Sequence, residues 1–305
     1  MNKMTAAKRA QILGMMAEGL SMRSICRLSG VSKNTVTKLL ADAGTAFAEY
    51  HHNHVRNVNV ARIQADEIWS FVGMKEKQAK RKGNKRPAGV GDIWTWTALD
   101  ADSKLCVSYL VGGRDAGYAY EFMTDVASRL QSRVQLTTDG HSAYLSAVHG
   151  AFGLDVDYAQ LIKQYGEDPN SEHRYSPPIC TGCEVKKVIG FPEAKHISTS
   201  YVERQNLSMR MGMRRFTRLT NAFSNKAENH MHAIAIYFMH YNWVRVHQTL
   251  RVTPAMQAGL TDKLWSLADM VAVLEEWESR QPVGEKVGRK VGQKDAQPRA
   301  ARKSN

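Results

Sequence analysis

The order of strand-like and helix-like segments in the middle of this chain constrains its fold more than any other feature. Segments rich in β-branched and aromatic residues indicate strands at 62–72, 92–99, 105–111, 134–138 and 156–161. Helical periodicity separates the last three of them, at 116–130 and 142–149. Three consecutive strands followed by strands that alternate with helices predict an α/β fold, in which helices flank a mixed sheet.

Residues 5–44 have the pattern of three short helices. Gly19 and Gly30 end the first two, and Ser21 and Ser32 can cap the second and third, the latter over 33–43. Its outward-facing polar side chains are Lys33, Asn34, Thr35 and Lys38. This is typical of a helix-turn-helix, which would present the first three to base edges and Lys38 to a phosphate. A three-helix bundle that contacts proteins has the same periodicity and stays open.

Composition and periodicity divide the chain into five parts. We expect the helix-turn-helix at 1–44, a linker at 45–60, an α/β core at 61–223, C-terminal helices at 224–279 and a disordered basic tail at 280–305. Within the core, Pro and Gly interrupt 163–197, so we expect an irregular insertion there rather than a sixth strand. Long helices are expected at 199–223, 225–246 and 262–278.

The charge of the chain points to a polyanionic partner. The 42 Lys and Arg residues outnumber the 29 Asp and Glu residues, and the net charge of +13 favours nucleic acid. No apolar stretch is long enough for a membrane span or resembles a secretory signal, so we expect a cytoplasmic, nucleoid-associated protein without a membrane partner. The four cysteines are too few and too scattered for a disulfide framework.

Three acids are candidates for chemistry. Asp66 lies within the first strand, Asp139 directly follows the strand at 134–138, and Glu203 lies in the first turn of a predicted helix. Each alone is ordinarily a cap or a solvated charge, but three carboxylates that meet would repel one another unless cations lay between them. Two Mg²⁺ ions about 3.5–4 Å apart satisfy such a set and suit displacement at phosphorus. Strand alternation leaves open whether Asp66 or Glu67 faces the site.

Four motifs carry a resemblance to a known family. Asp66 begins D-E-I-W-S-F-V-G, and Asp139 lies in T-T-D-G-H-S-A-Y. The stretch 198–223 reads S-T-S-Y-V-E-R-Q-N-L-S-M-R-M-G-M-R-R-F-T-R-L-T-N-A-F, and 240–256 reads H-Y-N-W-V-R-V-H-Q-T-L-R-V-T-P-A-M. Over about 61–260 the chain resembles the DDE transposases of the insertion-sequence-one family. It departs from retroviral-type integrases in the long interval between Asp139 and Glu203, and it lacks the cysteine-rich finger of some family members.

The resemblance implies a fold, a cofactor and a reaction. It implies an RNase-H-like core in which Asp66, Asp139 and Glu203 hold two Mg²⁺ ions, with Mn²⁺ as a substitute. It also implies hydrolysis at the ends of a DNA element and attack of the freed 3′-hydroxyl on a target strand. Because two element ends are joined to one target, we expect a homo-oligomer. Its expected partner is double-stranded DNA, both at the element ends and at the target. The alternatives are an RNase-H-like nuclease without strand transfer and a catalytically inactive DNA-binding regulator.

Two further groups of residues are candidates for binding. Arg210, Arg214 and Arg218 recur at helical spacing after Glu203 and would contact the DNA backbone, or else form an exposed basic face. Cys180 and Cys183 have the spacing of half a zinc site, which His173 or His196 could complete. A lone pair of cysteines is weak support for zinc, so we expect two incidental thiols.

Overall fold

The structure, a computed structural model, describes residues 4–81, 89–166, 179–217 and 222–281. Its centre is a six-stranded sheet in the order β3-β2-β1-β4-β5-β6. The strands are β1 (Arg62–Val72), β2 (Gly91–Asp100), β3 (Cys106–Gly112), β4 (Gln135–Thr138), β5 (Asp157–Gly166) and β6 (Ile179–Ile189). The first three pair antiparallel, β4 and β5 run parallel to β1, and β6 is antiparallel to β5. This order and orientation of β1 to β5 form an RNase-H-like sheet, so the predicted fold class is confirmed.

Ten α-helices surround the sheet within the described residues. They are α1 (Ala6–Ala17), α2 (Met22–Ser29), α3 (Lys33–His54), α4 (Glu76–Arg81), α5 (Ala116–Arg129), α6 (Ala143–Phe152), α7 (Ser200–Gly212), α8 (Ala227–Met239), α9 (Pro254–Gln257) and α10 (Leu267–Arg280). One buried cluster joins Trp96 of β2 to Phe122 of α5. A second joins Ile68 of β1 to Val202 of α7 and Phe238 of α8. The sheet is therefore covered on both faces. None of the described helices combines the length and apolar character needed to cross a membrane.

The N-terminal helices form as their sequence predicts. The side chains of Ser21 and Ser32 accept hydrogen bonds from the backbone N–H groups of Ser24 and Thr35, which caps α2 and α3. Gly30 ends α2 in the left-handed region at φ 70°, where a side chain would be strained. Helices α1 to α3 thus form the predicted helix-turn-helix.

The expected linker at 45–60 is wrong for most of its length, because α3 continues to His54. Phe47 and His51 of this extension are buried. The buried cluster that contains Phe47 also contains Ile12 of α1, Leu136 of β4 and Trp277 of α10. The continued helix therefore packs the helix-turn-helix against the C-terminal helices and the core, instead of connecting it to them loosely.

Three other expectations differ from the structure. The segment 163–197 is not wholly irregular, because β5 extends to Gly166 and β6 adds a sixth strand beside it. The helix expected at 199–223 ends at Gly212, where an extended Met213 leads into a 3-10 turn, Arg214–Phe216, that buries Met213 and Phe216. The helix expected to reach 246 ends at Met239 and is followed by a π turn, His240–Val244. Residues 167–178 and the basic tail from 282 lie outside the described residues.

Two glycines allow the helix-turn-helix to lie very close to the rest of the chain. A Cβ on Gly19, which has φ 74°, would lie 2.0 Å from the carbonyl oxygen of Gly212 at the end of α7. A Cβ on Gly44 of α3 would lie 2.5 Å from the Cα of His232 on α8. Both approaches are possible only without a side chain.

Substituting Gly44→Ala is expected to lower the free energy of unfolding by about 1–3 kcal/mol, because the new methyl group overlaps the α8 backbone and α3 must move away. Chemical denaturation monitored by circular dichroism measures the change. Gly212→Ala is the matched control, since its Cβ would meet only Tyr237 Cε2 at an ordinary 3.5 Å. Equal stability of the Gly44→Ala variant and the wild type would contradict the close packing of α3 on α8.

Candidate active site

The pairing of β1 with β4 brings two of the predicted acids together. The parallel register ends with Ala65 opposite Thr138, so the next residues, Asp66 and Asp139, are neighbours across the two strands. Asp139 begins the loop after β4 and accepts a hydrogen bond from the backbone N–H of His141 at 3.0 Å. Its own backbone carbonyl accepts from Gln160 Nε2 at 3.1 Å. The two carboxylates therefore lie at the edge where β4 ends.

Glu67 joins Asp66 and Asp139 in one acidic group. One oxygen of each residue lies within 4.8 Å of the others, and within the described residues this is the only group of three or more potential metal ligands so close together. The Glu67 side chain is 1% exposed, and both of its oxygens have partners. Arg114 Nε donates to Oε1 at 2.6 Å, and the Tyr144 hydroxyl donates to Oε2 at 2.9 Å. Strand alternation left open whether Asp66 or Glu67 faces the site, and the structure shows that both carboxylates reach it.

The third predicted acid, Glu203, is near this group but not part of it. It lies in the first turn of α7, where the Thr199 hydroxyl donates to its Oε1 at 2.5 Å. Lys163 of β5 forms an ion pair with the same carboxylate. The Glu203 side chain is 38% exposed and the Lys163 side chain 24%. The structure therefore brings together Asp66 and Asp139 as predicted, and pairs Glu203 with a lysine at the margin of the site.

Asn206, one turn after Glu203 on α7, contacts the acidic group and was not among the predicted site residues. Its Nδ2 donates to Asp66 Oδ2 at 2.8 Å, and its buried Oδ1 has no hydrogen-bond partner among the described residues. The i, i+3 spacing from Glu203 puts both residues on one helical face, and this signal could have identified it. His141 Nε2 is also buried without a partner. Two polar atoms at this site thus lack the partners that buried polar groups ordinarily have.

Burial and mutual repulsion make the acids hard to ionise together. Burial, followed by the charges of Glu67 and Asp139, raises the pKa of Asp66 to about 7. Burial and the charge of Asp139 also raise the pKa of Glu67, against the opposing effect of Arg114. A carboxyl with a raised pKa binds more protons in the folded state, so its ionisation lowers stability as pH rises through that pKa.

The site has the donor set of a divalent cation. Clustered carboxylate oxygens, together with an unpaired amide oxygen at Asn206, are the hard ligands that Mg²⁺ and Mn²⁺ take. A cation would also relieve the repulsion that raises the pKa of Asp66. The residues present therefore fit a metal of this class.

The predicted nucleic-acid contacts are distributed over two parts of the chain. Lys33, Asn34 and Thr35 are exposed at the N-terminus of α3, whereas exposed Lys38 forms an ion pair with Asp42 of the same helix. Arg210 is exposed on α7 and Arg214 is exposed in the turn after it, while Arg218 lies outside the described residues. The prediction that these arginines lie along one helix is therefore wrong. The helix α7 ends at Gly212, and the chain then turns so that Met213 and Phe216 are buried.

The two exposed cysteines of β6 are close to each other. Cys180 Sγ and Cys183 Sγ are 3.9 Å apart. His196 Nδ1 instead lies 2.6 Å from Arg62 Nη1, and His173 lies outside the described residues.

Comparison with known proteins identifies the class of the N-terminal domain. Residues 3–44 match the model of a homeodomain-like domain, which confirms the helix-turn-helix and supports DNA as its partner. No curated protein matches the chain. Among solved structures it is similar to a chain in a cryo-EM structure of a piggyBac transposase synaptic complex with hairpin DNA, at 12% identity and a TM-score of 0.38, covering 91% of this chain and 73% of that one. A TM-score this low supports no argument about function.

Binding of Mn²⁺ is expected to strengthen as pH rises through about 7, because a cation must displace the proton that Asp66 holds below that pH. One proton released per ion would raise the apparent affinity up to about tenfold per pH unit. Calorimetric titration of the full chain at several pH values measures both the affinity and the proton release.

The matched variants are Asp66→Asn, which should weaken Mn²⁺ binding and reduce its pH dependence, and Glu121→Gln, which neutralises an exposed acid of α5 and should change neither. An affinity that stays constant on both sides of about pH 7 would show that Asp66 does not bind the ion.

Proposed function

We propose that this chain is a DDE transposase of the insertion-sequence-one family, which cleaves the ends of a DNA element and joins the 3′-hydroxyl to target DNA. The observation that carries the proposal is the juxtaposition of Asp66 and Asp139 on neighbouring parallel strands of an RNase-H-like sheet. The homeodomain-like domain at 3–44 provides the means to find DNA. The family motifs at 198–223 and 240–256 support the same assignment.

In this proposal Asp66, Asp139 and Glu203 hold two Mg²⁺ ions, with Mn²⁺ as a substitute. When bound, such a pair activates the attacking oxygen and stabilises the leaving oxygen of an in-line displacement at phosphorus. The protein's own residues position the ligands. Asn206 orients Asp66 through the 2.8 Å hydrogen bond, and the His141 backbone orients Asp139.

Glu203 is a better third ligand than Glu67, although Glu67 lies closer to the two aspartates. Both oxygens of Glu67 are engaged by Arg114 and Tyr144 in a fully buried position, so it is suited to hold Arg114 at the site. Glu203 is partly exposed, and its main partner is a flexible lysine that a cation can replace. Lys163 then keeps the Glu203 charge neutralised until metal binds.

Nuclease activity is expected to fall by roughly a thousandfold in Asp66→Asn, Asp139→Asn and Glu203→Gln, since each removes a metal ligand that contributes several kcal/mol to the transition state. Glu67→Gln should retain more activity, because the amide oxygen can still accept from Arg114 while the amide nitrogen can donate to the Tyr144 hydroxyl oxygen. Nicking of supercoiled DNA with Mg²⁺ measures the effect, and Asp155→Asn, at an 81% exposed side chain, is the control. Full activity of Glu203→Gln would remove it from the ligand set.

The same preparation, given DNA that ends in the element's terminal repeat, separates the proposal from its alternatives. Joined products are expected from a transposase. Cleavage without joining would indicate an RNase-H-like nuclease, and DNA binding with no nicking under any metal would indicate an inactive regulator. We also propose that the protein acts as a homo-oligomer on paired ends, in the cytoplasm with the nucleoid.

We propose that base edges are read by Lys33, Asn34 and Thr35. The DNA backbone is contacted by Lys38, Arg210, Arg214 and Arg218.

Asn34→Ala, which removes an exposed side chain at the start of α3, is expected to cost about 1–3 kcal/mol of binding free energy at the base it contacts and to relax the sequence preference there. Binding to a randomised duplex library followed by sequencing measures preference. Ser24→Ala, on α2, leaves these three side chains unchanged and is the control. An Asn34→Ala variant with unchanged preference would contradict base reading by this residue.

A further inference from the structure

One cavity among the described residues lies between the helix-turn-helix and the core. Its volume is about 740 Å³, and its basic lining residues are Arg23, Lys33, Arg214, Arg215 and Lys226. Its remaining lining residues include no acid. The walls come from the N-terminal parts of α2 and α3 on one side, and from the turn after α7 and the start of α8 on the other. This interdomain cleft therefore combines space for a ligand with charge of one sign.

Arg215 gives an independent indication that the ligand is an anion. Its Nη1 donates to Ser224 Oγ at 2.6 Å and to the Asn229 carbonyl at 3.2 Å, both of which are neutral. Burial lowers the pKa of Arg215 to about 10, and no carboxylate of the described residues opposes this effect. A partly buried cation that has no charged partner among the described residues is costly, and an anion in the cleft would supply one.

The amino ends of three helices add to the positive electrostatic potential of the cleft. The N-terminal residues of α2, α3 and α8 all line the cleft, and the amino ends of helices attract phosphate groups. Lys226, the N-cap of α8, makes no side-chain capping hydrogen bond. In a helix-turn-helix the helix before the recognition helix crosses the DNA backbone, which is the position of α2 and Arg23 here.

We propose that the duplex read by α3 lies across the mouth of the interdomain cleft with part of its backbone inside it, so that Arg23 and Lys33 contact it from one wall while Arg214, Arg215 and Lys226 contact it from the other. This inference rests on the proposed function and deepens it, because it makes the core a second DNA-binding surface for the segment that the helix-turn-helix recognises. The direct approach of Gly19 to Gly212 holds the two walls together.

The position of the cleft connects recognition to the acids. Asn206, which contacts Asp66, and Arg214, which lines the cleft, are separated by the second half of α7 and one turn. The helical part, as far as Gly212, rises roughly 9 Å at about 1.5 Å per residue, and the two residues that follow α7 add at most about 7 Å, so the span is on the order of three to five nucleotides along one strand at about 3.4 Å each. A strand that follows α7 from the cleft can therefore reach the acidic group.

The test measures binding of the full chain to a labelled mixed-sequence duplex over a series of salt concentrations, without divalent metal. Arg214→Gln combined with Lys226→Gln removes two exposed charges of the core wall, and Arg23→Gln removes one of the opposite wall. Each lost phosphate contact reduces the slope of log affinity against log salt by about 0.9, so we expect a reduction of about 1.8 for the double variant. Lys8→Gln, at a partly exposed position of α1 outside the cleft, should leave the slope unchanged.

Hydroxyl-radical footprinting of the same complexes tests whether one duplex touches both walls. Arg23→Gln and Lys226→Gln should each lose protection at neighbouring positions of one duplex. Two results would contradict DNA binding in the cleft but leave the proposed function intact. One is a slope of log affinity against log salt in the double variant that equals the wild-type slope, and the other is loss of protection on separate DNA segments. Absence of DNA binding by the wild-type chain would overturn both proposals. Melting temperatures establish that the variants are folded, and the single variants replace the double variant if its melting temperature falls.

Discussion

The parallel pairing of β1 with β4 decides where negative charge concentrates in this protein. It puts Asp66 beside Asp139 at the edge of a sheet covered on both faces, where repulsion between carboxylates is weakly screened. The surrounding residues offset part of that repulsion. Arg114 pairs with Glu67, and Asn206 donates to Asp66 from α7. The packing of α7 against β1 therefore has two roles: it buries apolar side chains, and it brings Asn206 to the Asp66 carboxylate.

A second constraint is the fixed position of the helix-turn-helix. Residues of α1, α3 and α10 share a buried cluster with the sheet, and Gly19 and Gly44 allow contacts that any side chain would prevent. A DNA-binding unit attached by a flexible linker samples many orientations relative to a catalytic centre. One that is packed into the same core presents its DNA in a single orientation, which removes an entropic cost from each productive encounter.

Local signals in the sequence were sufficient for most of the elements but not for their extent. Strand-forming segments, serine caps and Gly30 predicted the sheet and the helix-turn-helix, because each depends on neighbouring residues. The third helix was expected to end at residue 43, yet α3 continues to His54, and α8, far away in the sequence, packs against Gly44 within it. The prolines and glycines of 163–197 likewise led to the expectation of an irregular insertion, whereas β6 forms there by pairing with β5. For the site, the sequence predicted Asp66 and Asp139, but the contact of Lys163 with Glu203 depends on tertiary structure and could not be predicted.

In the proposed function, the charges around the acids couple the binding of metal to the binding of DNA. Four carboxylates, those of Asp66, Glu67, Asp139 and Glu203, face two cationic side chains, those of Arg114 and Lys163. One divalent cation balances the remaining negative charge when all four are ionised. A second would leave the site positive until a phosphodiester supplied further negative charge, so its affinity must rise when DNA is present. Linkage is reciprocal, so under the proposed function the DNA backbone would bind more tightly at a site that already holds metal.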